Sequence, residues 1–344
     1  MIELKNDGLK FSFPDVHKGA SFTIDFQRTL RIPDDGTDYS LPPGLGSFPV
    51  RHVDDYAEDV PENWLAHGGT MLPMYQSEAM WLNFSGASRW HGFPYPFAVK
   101  IATGKINAVT GDEWENGLHE DPQDYVIIPE QPWLDGYCVE KGMIRQFVAM
   151  PLGAGYTAEE QLTSEAEHGG IQVIAYPMKR EAFEERRKKW EAEQADRRYV
   201  LYEGALNSMS PSPHAEMGLA PGGRMRQEIY DDPYDFDEWD IENASRCFVH
   251  IANSMVWRSI TGRNPPTTPP TSKEYTKAGL PWFEYYSDGK AVEGSETLGK
   301  LKSVLQLGEE KGDVPLPENE SVTPGHVVHL RRGLRPGQVR EGRF

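Results

Sequence analysis

A chain of 344 residues is long enough for one large domain or two ordinary ones, and it buries a sizeable core without covalent staples. Its 35 basic and 53 acidic residues give −18 at neutral pH, a field that repels phosphate backbones and anionic membranes. With 38% hydrophobic and 26% charged residues, and no apolar run near the roughly 20 residues of a membrane helix, disordered and membrane-spanning classes are excluded.

The chain opens on Met1-Ile2-Glu3-Leu4-Lys5-Asn6-Asp7, with acids where a secretory signal is basic and then apolar. Export by a standard signal is not expected, and a cytoplasmic location is. Two cysteines, Cys138 and Cys247, cannot build a framework of bridges; their apolar neighbours mark them as buried thiols in a reducing compartment. Phe22 to Leu30 alternates apolar and polar residues, the period of a half-buried strand. His52-Val53-Asp54 follows. On a strand, residues two apart face one side, so this pair can supply two ligands to one cation, with His91 or His119 as a distal third. The competing reading is an acidic surface turn, because Asp55, Glu58 and Asp59 come next.

Phe97 to Val109 reads as a hairpin closed at Ala102-Thr103-Gly104-Lys105. Tyr125 to Met150 reads as a meander turning at Asp135-Gly136 and Lys141-Gly142. Gly153-Ala154-Gly155-Tyr156-Thr157-Ala158 fits a dinucleotide-binding turn. Glu159 and Glu160 place negative charge where a pyrophosphate needs free N–H groups, so a plain glycine turn is the better reading and no cofactor is expected. Thr157 to Glu160 also has the spacing of a capping box, as has Thr271 to Glu274. Further strands are predicted at 171–176, 225–230 and 247–251. Arg180 to Arg198 is predicted to be a charged helix whose two large apolar residues, Phe183 and Trp190, share a face. A late helix carries Leu298, Leu301 and Leu305.

Asp231, Asp232, Tyr234, Asp235, Asp237, Glu238, Trp239 and Asp240 crowd six acids and three aromatics with Phe236 into ten residues. The cluster lacks the glycine and the final spaced Glu of a calcium loop; it reads as a solvated acidic loop, or as a surface for a basic partner with Tyr234 and Trp239 as anchors. The C-terminal stretch reverses the charge: Arg331, Arg332, Arg335, Arg340 and Arg343 stand against one Glu. Docking on the protein's own acids, in one subunit or its neighbour, is electrostatically simpler than nucleic-acid contact. Cys247 to His250 and His326 to His329 have three-residue spacing, which in a strand sends the two side chains to opposite faces. No HExxH, GxSxG, GxxxxGK[ST] or paired CxxC occurs.

Gly142 to Phe147 echoes Gly223 to Glu228, as a duplicated β-unit or by chance. The segments Arg226 to Tyr230, Phe248 to Ser254, Ala278 to Phe283 and Pro129 to Gly136 together resemble a family of uncharacterised microbial proteins. That resemblance implies no activity and no catalytic residues.

The expectation is an α+β protein with a predominantly antiparallel, sandwich-like β-core, short peripheral helices and one long charged helix. A β-rich part at 1–178 and another at 200–344 flank a helical connector at 179–199, or the three form one continuous domain. The leading function is a cytosolic binding or self-assembling structural protein, a homo-oligomer with a basic protein as a further partner and neither nucleic acid nor membrane. The first alternative is a metal-dependent enzyme using His52 and Asp54; the second is nucleotide binding through Gly153 and Gly155.

Overall fold

Along Ser21–Thr29 the residues Phe22, Ile24 and Phe26 turn inward with no exposed surface, while Thr23, Asp25 and Gln27 stay half-buried on the other side. In the computed structural model, which describes residues 1–194, 217–286, 291–313 and 320–331, this strand lies within one large, mostly antiparallel sheet. The neighbours run Ile2–Lys5, Gly8–Ser12, Ser21–Thr29, Ala79–Ser85, Met143–Pro151 and Met217–Arg226. One pair, Met217 with Ile251, hands the sheet on to Ser245–Ala252, Ile171–Pro177, Phe97–Thr103 and Val126–Ile128. The Ser21 and Phe97 strands then meet through their side chains, with the Phe22 and Phe97 ring centres 4.6 Å apart. A continuous apolar core lies between them. The expected α+β class with an antiparallel β-core is what the structure shows.

The helices are short and lie outside the sheet: α1 Glu62–His67, α2 Ala158–Thr163, α3 Arg180–Gln194 and α4 Ser254–Thr261 precede three more of four to eight residues. Among the described residues none is long and apolar enough to cross a membrane. Both expected capping boxes form, at Thr157 and at Thr271. Despite its charge, α3 is docked: Phe183 is fully buried with its ring 4.1 Å from that of Tyr95, and Trp190 packs on Phe93. Ladders also cross the 179–199 segment, because the Met143 strand pairs with the Met217 strand and the Ile171 strand with the Ser245 strand. The echoing segments at Gly142 and Gly223 are thus antiparallel neighbours, Arg145 opposite Arg224.

Three predicted elements are corrected. Asp135-Gly136 is no exposed hairpin turn. Asp135 is buried, and a Cβ at Gly136 would lie 1.9 Å from the Arg145 carbonyl oxygen, so only glycine lets the chain cross there. The strand expected over 225–230 stops at Arg226. Beyond it, apart from isolated backbone bonds to Gly142 and Val292, glutamine side chains do much of the pairing that backbone groups do elsewhere. Gln227 accepts from the Asp135 N–H and donates to the Trp133 carbonyl. Gln131 accepts from the Tyr230 N–H and donates to Trp133 and Glu228 carbonyls. Gln123 accepts from the Asp232 N–H and donates to Tyr125 and Tyr230 carbonyls. Buried backbone groups need partners, and these amides supply both kinds. Lastly, the late helix is two, Glu296–Gly299 and Val304–Lys311, because the Ser303 side chain caps a new start; Val304 and Leu307, not Leu305, face the core.

Candidate functional site

The Ser245–Ala252 strand sends Arg246, Phe248 and His250 to one side, two residues apart. Beside it, α1 ends at Gly68 and Gly69, both with positive φ, and the chain turns into Thr70–Pro73, which runs parallel to the Ser245 strand. A Cβ at Gly69 would sit 2.2 Å from the Phe248 carbonyl oxygen, so glycine is what lets α1 close down on that strand. The result is a row of rings. Trp64 stacks on His250 at 4.8 Å, His250 on Phe248 at 5.8 Å, Phe248 on His67 at 4.6 Å, and His67 meets His168 at 5.6 Å.

In front of this row lies a cavity of about 510 Å³. Ile2, Leu4, Leu9 and Phe248 give it an apolar wall; His52, Asp54, His67 and Arg246 give it a polar one. Ligand pockets commonly have this size and this mixture. Arg246 is exposed yet well oriented. Its guanidinium donates to the Gln172 side-chain oxygen at 3.2 Å and lies over the Phe248 and Trp114 rings at 5.2 and 5.7 Å. Among the described residues it makes no ion pair. Behind His67, the carboxylate of Glu159 is almost fully buried and accepts from His168 Nδ1 at 3.1 Å, from the His168 N–H and from the Gly169 N–H at 2.9 Å. Gly104 makes room for it: a Cβ there would approach Glu159 Oε2 to 2.2 Å.

Burial holds His250 down to about 4, while its Nε2 bonds the Gly68 carbonyl at 3.0 Å. Burial, then His168 and Arg246, also keeps His67 below the usual imidazole range. Both rings are therefore neutral at pH 7, and of the two only His67 is exposed to the cavity. The Cys247 thiol, also on the cavity wall, is pushed up to about 11 by burial, and that of Cys138 to about 12, which leaves both inert.

His52 and Asp54 are both exposed and both face this cavity, but not by strand alternation. The strand Arg51–His52 ends at His52, and Asp54 opens a one-turn 3₁₀ helix, Asp54–Tyr56. The proposed third ligands lie elsewhere: His91 meets Trp90 edge-on, and His119 bonds Asp124 at 2.9 Å. The histidine that joins His52 is His67. Among the described residues no group of three or more His, Cys, Asp or Glu stands ready to hold a metal ion.

The acidic cluster is spent on internal bonds. Trp239 is buried and donates to Asp232, which also accepts from Tyr125 at 2.8 Å. Tyr234 bonds Glu130 at 2.8 Å. Glu238 and Asp235 take Arg186 of α3 at 2.6 and 3.4 Å. Buried Trp239 and half-buried Tyr234 are thus not free surface anchors; Asp235 and Asp237 stay exposed, Asp231 is half-buried, and Asp240 accepts from the Asn243 backbone and side chain at 3.2 and 2.9 Å. Arg331 ends the strand Val327–Arg331, and Arg332, Arg335, Arg340 and Arg343 lie outside the described residues. At the Gly153 turn, Glu160 already accepts from the Gly155 and Thr157 N–H groups at 2.6 and 3.1 Å, the donors a pyrophosphate would need.

Sequence reasoning passed over Arg246 and His67. The available signal was the two-residue spacing of Arg246, Phe248 and His250 on an otherwise apolar strand. Compared with models of known families, with curated proteins and with solved structures, the chain matches none.

Proposed function

We propose that the protein is a binding protein whose ligand is a small organic acid with an apolar or aromatic body, held in the cavity in front of His67. The observation that carries this is Arg246. It is oriented by Gln172 and two aromatic faces, carries no neutralising carboxylate among the described residues, and opens on a half-apolar cavity. On a chain of −18, most arginines that are held in place are held by acids; this one is held by neutral groups, which leaves its charge for a guest. Phe248 and His67 line the cavity with aromatic surface, and Ile2, Leu4 and Leu9 add a greasy wall for the body of the ligand. The expectation of a binding or self-assembling structural protein is narrowed to a binding protein, and the favoured partner changes from a basic protein to a small acid, because Asp232, Tyr234, Glu238 and Trp239 of the acidic cluster are engaged internally.

The test is thermal melting and tryptophan fluorescence titration at pH 7 with aromatic and medium-chain carboxylates, each beside its uncharged amide. Carboxylates should raise the melting temperature and the amides should not. Arg246→Gln should remove the difference. Equal shifts for acid and amide, or an unchanged response in Arg246→Gln, would defeat the proposal.

A further inference from the structure

The imidazoles behind the cavity carry an inference of their own, independent of Arg246. The ring centres of His67 and His168 are 5.6 Å apart with the planes inclined by 35°. Each ring has one nitrogen occupied. His168 Nδ1 is bonded to the buried Glu159 carboxylate at 3.1 Å, and the His67 ring bonds the Asn63 backbone one helical turn earlier. A ligating histidine requires this arrangement: an acceptor on one nitrogen fixes tautomer and ring orientation, and the other nitrogen keeps its lone pair for the ion. Bonds of about 2.0–2.1 Å from one ion to two ring nitrogens place the ring centres roughly 5–6 Å apart.

We infer that His67 and His168 form a two-histidine site for a divalent transition metal, with Glu159 as the positioning carboxylate behind His168. The described residues bring no third His, Cys, Asp or Glu into the group, so the other coordination positions go to water or to a guest in the cavity that His67 lines. The two buried histidines among the described residues are less suited. His17 has both nitrogens engaged, with the Gly19 N–H at 3.0 Å and Glu184 at 3.4 Å. His250 is buried, with its Nε2 on Gly68. Glu159 itself is anchored by two backbone N–H groups, so its hold on His168 does not drift. The competing explanation is a purely structural ring stack, and the experiment has to separate the two.

Full-length protein, stripped with chelator, is titrated calorimetrically with Cu²⁺ and Zn²⁺ separately, and with Co²⁺ by visible absorption. The expected result is one ion per chain, Cu²⁺ bound more tightly than Zn²⁺. His67→Ala and His168→Ala should each weaken binding at least tenfold. Glu159→Gln should cost about 10–100-fold, the usual effect of removing a histidine's outer partner. His52→Ala should bind metal like the wild type, and Arg246→Gln at least as tightly, because the Arg246 charge opposes a cation at His67; failure here and failure of the carboxylate proposal are thus told apart. Because His67 is exposed, His67→Ala tests the site even where His168→Ala folds poorly. Absence of a saturable site, or wild-type affinity in His67→Ala, overturns the inference.

Discussion

Asp135 offers a test of how far burial alone governs a charge in this fold. Its carboxylate is buried, accepts from Gln227 Nε2 at 2.8 Å, and has no cationic partner among the described residues. Burial raises it to about 7, against the partial relief of hydrogen bonds from Trp133 and Gln227. A raised carboxyl is neutral in the folded chain while the unfolded chain has already ionised. Stability from this group is therefore complete below pH 3.8, falls as pH rises toward 7, and is flat above. At 1.36 kcal/mol per unit, the shift from 3.8 to about 7 amounts to about 4 kcal/mol. Asp135→Asn cannot ionise and keeps an acceptor for Gln227, but its NH₂ group needs a partner, at a cost of about 1–3 kcal/mol if none is found. The variant should thus match or fall below the wild type at pH 4–5 and exceed it at pH 8 by about 1–3 kcal/mol. Urea unfolding at unit intervals from pH 4 to 9 measures this. A wild-type pH slope that survives in Asp135→Asn, or a variant less stable than wild type at pH 8, refutes the reasoning.

Two further outcomes are expected. His250, held at about 4 against an ordinary 6.5, contributes stability that is present above pH 6.5 and lost as pH falls toward 4, at most about 3 kcal/mol. His250→Gln should flatten that part of the acid unfolding curve. Arg28 and Glu78 form a buried pair, Nε to Oε1 at 2.7 Å, and Arg28 Nη1 has no partner of its own. Glu78→Gln strips the pair of its counter-charge and should cost about 3–5 kcal/mol by chemical denaturation, far more than a surface pair; a loss below 1 kcal/mol would mean that water reaches Arg28.

Elements with a local cause were legible before the fold was seen. The strand at Phe22 has its period, Thr157 and Thr271 have their capping boxes, and Lys141-Gly142 has a positive-φ glycine. Elements with a distant cause were not. Asp135-Gly136 carries turn composition, and nothing nearby in sequence says that Arg145 presses on Gly136. Arg226 to Tyr230 has strand composition, but it makes only isolated backbone bonds, to Gly142 and Val292, and is otherwise paired by the side chains of Gln123 and Gln131. The cavity shows the same division. His52 and Asp54 were recognisable as a pair, although the backbone between them turns instead of alternating. Arg246, His67 and His168 come from three separated segments, and only the parallel pairing of the Thr70 and Ser245 strands brings α1 over Phe248.

The glutamine bridges bear on how this molecule ages. Deamidation of Gln131 or Gln227 replaces an NH₂ donor with an anionic oxygen, with almost no change in shape. At Gln131 that oxygen would face the Trp133 and Glu228 carbonyls, and at Gln227 the Trp133 carbonyl and the Asp135 carboxylate. At either site the new oxygen would confront two acceptor groups in place of the donor it replaced. A one-dalton change that leaves size untouched and adds a single negative charge at these sites would unfasten residues 227–232 from 123–135, so the shelf life of the fold is set by side-chain chemistry at places where most proteins rely on their backbone.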